Sequence, residues 1–166
     1  MIFSHKINRC IGLLILTAVS TASTAQMPPG TGIRLAEATI ALVSYAEMSN
    51  LAARDVQCKG TLFQAFDTDS LVDKEIVPII DQLSRTSGDA GKPGQRAETV
   101  AMFKGFSRQP NLIAAIKNTY MSKKQEFIVA YGEGGACAAL SSMILTVIQQ
   151  KRLALRDIAQ TPAVKK

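Results

Sequence analysis

The chain has 166 residues, with 19 Lys and Arg against 13 Asp and Glu, one histidine, three cysteines and no tryptophan. The one histidine, His5, lies in an N-terminal segment that has the pattern of a removable leader, so we expect the mature chain to contain none. That composition excludes serine and cysteine hydrolases that need an imidazole base, and it also excludes histidine-ligated zinc and c-type haem.

Residues 1–25 have the features of a secretory signal peptide. Two basic residues, an apolar run at Ile11–Val19 and the small residues Ser23–Ala25 follow one another in the order that signal peptidase substrates show. The apolar run is too short for a bilayer span, and Cys10 precedes it, whereas a lipid-modified cysteine would follow it. We therefore favour cleavage near Ala25 over an uncleaved anchor. We expect a periplasmic or secreted mature chain, 26–166, that forms one helical domain.

The first predicted helix spans Gly32–Gln57, where apolar residues recur at helical spacing on a broad face. Lys59 and Gly60 indicate its C-terminal break, which places Cys58 at the helix end. Loss of Cys10 with the leader leaves Cys58 and Cys137, and an even pair in an exported chain predicts one disulfide. The alternative is two buried free thiols, because cysteine also packs as a small apolar residue.

A second helix is predicted after a short connection, with Asp69 or Ser70 as its N-cap. Pro78 lies inside its apolar pattern, so this helix is expected to be kinked or to start late. Thr86–Arg96 is rich in Gly, Pro and Asp and predicts a loop.

The C-terminal half contains three further predicted helices. A short one covers Ala97–Lys104 and ends at Gly105, and the two longer ones cover Asn111–Tyr131 and Gly135–Ile158. Gly132 stands where a left-handed C-cap is expected, so the glycines after Tyr131 predict a hinge that makes a helical hairpin. The expected fold is an all-α bundle of four main helices plus a short one, stapled by one disulfide, with a loose tail from 161 to 166.

Four carboxylates, Asp67, Asp69, Asp73 and Glu75, stand close together in the sequence. A pair of them facing one sugar could hydrolyse glycans, but acidic residues are also favoured at a helix N-terminus, and that interpretation is preferred. As a calcium loop the segment fails, because Val72 occupies the position that requires glycine.

The segment Tyr131–Ser142, YGEGGACAALSS, does not predict a nucleotide site, since no parallel-strand pattern precedes its glycines. Phe127–Ile148 is long enough to span a membrane, but Glu133 and three glycines near its middle argue against that. A hinge between two helices explains the same residues.

Charge is uneven along the mature chain: residues 26–103 carry seven basic and ten acidic side chains, and residues 104–166 carry ten basic and three acidic. The basic half predicts a surface for a protein partner with an acidic face. Nucleic acid is not expected, and a membrane surface is not favoured. No cofactor, metal or catalytic residue is predicted, and the oligomeric state is left open. The residues of the predicted basic surface are Arg108, Lys117, Lys123, Lys124, Lys151, Arg152 and Arg156.

The function predicted from these features is that of an exported binding protein, such as an inhibitor, an immunity protein or a secretion accessory factor, rather than an enzyme. The first alternative is a carrier of a small apolar ligand, with Met48, Met102, Met121 and Met143 around its site. The second alternative is a glycan hydrolase that uses the carboxylates between Asp67 and Glu75.

Overall fold

The computed structural model describes residues 30–86 and 93–160, and within these ranges the chain is helical without a strand. The predicted all-α class is therefore confirmed. The predicted signal peptide, most of the predicted loop and the predicted loose tail lie outside the described residues. The elements are α1, Thr31–Arg54; a 3₁₀ turn, Val56–Cys58; α2, which joins Thr68–Leu71, the π-helical Val72–Ile76 and Val77–Thr86; α3, Pro93–Phe106; and α4, Pro110–Gln160.

Helix α1 is the central element of the core, and its buried residues cover a broad face as predicted. It ends at Arg54 rather than at Gln57, because Asp55 has an extended backbone and its side chain caps the 3₁₀ turn instead. Asp55 Oδ1 accepts a hydrogen bond of 2.9 Å from the Gln57 amide. An aspartate that binds a nearby amide in this way competes with helix continuation.

Helix α2 begins two or three residues earlier than predicted, with Asp67 as the N-cap in place of Asp69 or Ser70. Asp67 Oδ1 accepts from the amides of both of those residues. The helix accommodates Pro78 through a π turn just before it. In this turn the Val77 amide donates a hydrogen bond to the Val72 carbonyl, five residues back. A proline has no N–H to offer the carbonyl four residues before it, and a π turn removes that conflict without ending the helix.

Helix α3 is longer than the predicted Ala97–Lys104, because it begins at Pro93 and continues through Gly105 to Phe106. Proline is favoured in the first turn of a helix, where its missing N–H has no intrahelical acceptor. Phe103 and Phe106 are both buried and meet edge to face, with ring centroids 5.6 Å apart. Burial of Phe106 compensates for the glycine before it and carries the helix two residues beyond Lys104.

Helix α4 is broken at Gly132, whose φ of 69° and ψ of 169° are not helical. The positive φ was predicted, but ψ is extended rather than left-handed helical, and the second arm resumes directly at Glu133. We call 110–131 the first arm and 133–160 the second arm.

The chain reverses direction at this break. Arg108, just before the first arm, pairs with Asp69, and Arg152, in the second arm, pairs with Glu75. The two carboxylates are close to each other, because both lie in the first turns of α2. On one straight α-helix the two arginines would lie roughly 66 Å apart, far beyond the reach of two neighbouring carboxylates. The two arms therefore form a helical hairpin with Gly132 at its turn, as the sequence predicted.

Candidate functional site

A disulfide joins the 3₁₀ turn to the second arm close to the hairpin turn. Cys58 Sγ and Cys137 Sγ are 2.06 Å apart, and the two Cα atoms are 5.5 Å apart. Both residues are buried, with 3% and 5% of their surface exposed. The predicted disulfide is thus confirmed, and it holds residues 79 apart in the sequence.

A second link between the 3₁₀ turn and the hairpin is polar and was not predicted from the sequence. Asp55 Oδ2 accepts hydrogen bonds from Tyr120 Oη at 2.6 Å and from Lys124 Nζ at 2.5 Å. Lys124 Nζ also donates to Gln57 Oε1 at 2.6 Å. We call Asp55, Gln57, Tyr120 and Lys124 the Asp55 cluster. It fastens the first arm to the end of α1, beside the disulfide that fastens the second arm.

The electrostatics of the Asp55 cluster favour its charged form. Burial by itself would raise the pKa of Asp55, but the hydrogen bonds from Lys124, Tyr120 and the Gln57 amide outweigh it, so the pKa lies below its ordinary value. Burial and the bond to Asp55 raise the pKa of Tyr120, which keeps its hydroxyl protonated and donating. Each of these polar groups is satisfied by a partner inside the protein, which is the requirement for burying them.

A signal for this cluster does exist in the sequence. Ile116, Tyr120 and Lys124 are spaced by four residues and so share one face of the first arm, and that face is otherwise apolar. A lysine on a buried face needs an acidic partner. The partner itself could not be chosen from the sequence, because Asp55 is 69 residues away and is one of several acidic candidates.

Four of the seven residues of the predicted basic surface are engaged in ion pairs within the chain. Lys124 is only 6% exposed and belongs to the Asp55 cluster, so its assignment to the surface was wrong: its side chain turns inward to pair with the partly buried carboxylate of Asp55. Arg108, Lys123 and Arg152 are held in ion pairs with Asp69, Glu126 and Glu75 respectively. Within the described ranges no salt bridge engages the remaining three, Lys117, Lys151 and Arg156.

The carboxylates between Asp67 and Glu75 each have a separate structural role. Asp67 caps α2, Lys104 Nζ lies 2.7 Å from Asp73, and Arg152 makes a forked contact with Glu75 at 2.7–2.9 Å. These contacts favour the helix-cap interpretation over a pair facing one substrate. Across residues 30–86 and 93–160, no group of three or more His, Cys, Asp or Glu side chains could hold a metal ion.

The four methionines considered for a ligand site are scattered rather than gathered. Met48 is 2% exposed in the core, whereas Met121 is 54% exposed on the first arm. Met102 and Met143 are half-buried at the edge of the core, on α3 and the second arm.

Large apolar side chains are exposed at the end of the hairpin, next to the disulfide. Val56 and Leu62, on either side of Cys58, are 69% and 92% exposed. Val129 and Tyr131, in the last turn before Gly132, are 80% and 61% exposed. We call these four residues the hairpin-end surface.

The segments that carry this surface are fixed in place. Ser141 Oγ donates to the Leu62 carbonyl at 3.0 Å, and the disulfide and the Asp55 cluster hold the 3₁₀ turn and both arms. All residues from 129 to 134 are exposed, so the hairpin turn projects beyond the core. The hairpin turn, with Val129 and Tyr131 exposed on it, therefore projects from a base that the disulfide and the Asp55 cluster hold together.

Helix α4 is long and apolar enough to cross a membrane by length and composition. The reversal at Gly132, however, places the two halves of Phe127–Ile148 on opposite arms, so this segment is not one straight span. Among known proteins, no family model, no curated protein and no solved structure matches the chain.

Proposed function

We propose that the protein is an exported helical binding protein that acts by contact with another protein through the hairpin-end surface. The observation that carries the proposal is the exposure of four large apolar side chains at one end of the molecule. Scattered apolar residues are normal on a surface, but a group of them at one end of a molecule is typical of an interaction site. Tyrosine is among the residues that are most enriched at such sites.

The bracing of the surface supports a binding role. Association costs less when the contact residues are already ordered, because side chains and loops lose less freedom on binding. The disulfide and the Asp55 cluster order the two segments that present Val56, Leu62, Val129 and Tyr131.

Export is the second part of the proposal, and it rests on the leader pattern together with the disulfide. Disulfides persist in the periplasm and outside the cell, where thiols are not kept reduced. An inhibitor, an immunity protein against a secreted toxin or a secretion accessory factor would each work by such contacts. Lys117, Lys151 and Arg156 remain as exposed or half-exposed cations that would steer an acidic partner towards the molecule.

We also propose that the four helices form a bundle in which α1 packs against both arms of α4. Supporting contacts link α2 to α3 through Arg96 and Asp81, with Nε and Oδ1 2.5 Å apart, and link α2 to the second arm through Gln82 Nε2 and the Ala159 carbonyl, 2.7 Å apart. Antiparallel helices around one apolar core are the usual outcome of such a set of contacts.

Capture of partners from an envelope extract of the source organism tests the proposed function. Three immobilised forms of the mature protein are compared: wild type, the double variant Val129→Ser with Tyr131→Ser, and Leu153→Ser. Leu153 is the matched control, because it is 57% exposed on the second arm but outside the hairpin-end surface. We expect one or more proteins to bind wild type and the control but not the double variant. Equal capture by all three folded forms, or by none, would contradict the proposal.

A further inference from the structure

We propose that a second copy of this chain binds at the hairpin-end surface, so that the mature protein is a two-fold symmetric dimer. This inference rests on the proposed function, since it names the partner of the same surface. It follows from how the apolar and charged groups are divided between two halves of that surface.

The two halves carry opposite charges. The 3₁₀ turn offers Val56 and Leu62 together with Lys59, which is exposed between them. The hairpin turn offers Val129 and Tyr131 together with Glu133, which is also exposed.

Lys59 and Glu133 are not paired with each other, although both lie near the disulfide. Neither appears in any ion pair formed within residues 30–86 and 93–160. Three other cation–carboxylate pairs bridge separate helices of this chain, at Arg96, Lys104 and Arg152. One positive and one negative side chain therefore stay available beside an exposed apolar group.

A two-fold axis satisfies both halves at once. In such an interface one patch on the first copy meets another patch on the second, and the reverse contact is made by symmetry. If the hairpin turn of one copy rests on the 3₁₀ turn of the other, the apolar groups are covered twice and Glu133 faces Lys59 twice. The hairpin-end surface is thus complementary to itself, both in its apolar groups and in its charges.

A bilayer is a less suitable occupant for the same surface. Glu133 lies at the tip of the projection, directly after Gly132, and would enter the lipid first. A carboxylate is costly at depth in a membrane, whereas in a protein interface it is neutralised by a facing cation.

Sedimentation velocity of the mature, oxidised protein over a concentration series tests the dimer. Four forms are compared: wild type, Lys59→Glu, Glu133→Lys, and the double variant with both substitutions. Both sites are exposed, so the circular dichroism spectrum of each form is expected to be unchanged, which shows that each form is folded. We expect wild type to form dimers, and each single charge reversal to weaken self-association about tenfold, because it places like charges opposite each other twice.

The charge-swapped combinations make the test specific for a second copy. The double variant, and an equimolar mixture of the two single variants, restore opposite charges at both contacts and should regain the wild-type association. A monomer at every concentration, or single variants that associate as wild type does, would overturn the inference.

The same samples separate this inference from the proposed function. A monomeric wild type that still captures another protein, and loses it with Val129→Ser and Tyr131→Ser, overturns the dimer and leaves the proposed function standing. A monomer that co-sediments with vesicles of phosphatidylethanolamine and phosphatidylglycerol through the same residues overturns both, and assigns the surface to lipid.

Discussion

At the scale of single residues, Lys124 shows how a charge can be hidden in an apolar face. A buried ion pair adds little net stability, because desolvation of both charges offsets their attraction. Removal of one partner is costly, since the other then stays buried without compensation. In the Asp55 cluster the carboxylate also accepts from Tyr120 and from the Gln57 amide, so its stabilisation depends on several donors.

Substitution of Lys124 by methionine is expected to lower the free energy of unfolding by about 2–4 kcal/mol, because Asp55 loses its cation while it remains largely buried. Lys117→Met is the matched control, since Lys117 lies on the same arm but is exposed. The control should change stability by less than about 0.5 kcal/mol. Urea unfolding of the oxidised proteins measures both, and equal effects of the two substitutions would show that the Asp55 cluster has no special role.

The cluster also predicts a dependence of stability on pH. The pKa of Asp55 is lower in the folded protein than its ordinary value of 3.8. Its stabilising contribution is therefore complete above 3.8 and is lost as the pH falls through the folded-state pKa. Asp55→Asn removes this contribution, so the variant should be less stable than wild type at neutral pH, and the difference should shrink as the pH is lowered below 3.8.

Thermal melting from pH 7 to pH 2 measures that difference. A constant difference between Asp55→Asn and wild type across this range would mean that Asp55 does not stabilise the fold through its charge.

At the scale of helices, positions were easier to predict than ends. Apolar periodicity placed α1, α2 and both arms of α4, because a face that packs on the core repeats every three to four residues. The ends depended on local contacts that periodicity does not record. Asp55 ends α1 by capping the next turn, Pro78 is accommodated by a π turn, and Phe106 extends α3 past Gly105.

The hairpin turn allows two glycines to be compared within one segment. Gly132 has a positive φ with an extended ψ, a combination that is essentially restricted to glycine. Gly134 has no such φ, and a Cβ added there meets nothing within 4 Å. We expect Gly132→Ala to destabilise the protein by about 1–3 kcal/mol.

Gly134→Ala should have the opposite sign and stabilise by about 0.5–1 kcal/mol, since alanine is favoured over glycine in an exposed helical turn. Chemical denaturation measures the free energy of unfolding of both variants and of wild type. Two effects of the same sign would mean that the reversal is not located at Gly132.

At the scale of the whole molecule, the disulfide and the Asp55 cluster lie at one end and hold both arms of the hairpin there. The disulfide was predictable because two cysteines, Cys58 and Cys137, lie outside the proposed leader. The hairpin-end surface was not, since its residues belong to ordinary apolar patterns in the sequence. The reversal at Gly132, which the structure shows, makes Val129 and Tyr131 project beyond the core. The structure is also needed to show that most residues of the predicted basic surface form ion pairs with carboxylates of the same chain.

Loss of the disulfide should weaken the whole fold. Cys58→Ala with Cys137→Ala is expected to lower the free energy of unfolding by about 2–5 kcal/mol, because a long loop in the unfolded chain is no longer closed. Both sulfurs are buried, so dithiothreitol should reduce the native protein much more slowly than the urea-unfolded protein. Thiol titration over time compares the two, and equally fast reduction would show that the disulfide is open to solvent.

The most direct test of the central claim, that the hairpin end is the contact surface, is photo-crosslinking in living cells of the source organism. Benzoylphenylalanine is introduced in place of Val129 in one strain and in place of Leu153 in another. If the hairpin end is the contact surface, a discrete crosslinked protein adduct forms from the position of Val129 and none forms from that of Leu153. The same adduct from both positions, or an adduct from the position of Leu153 alone, would contradict it.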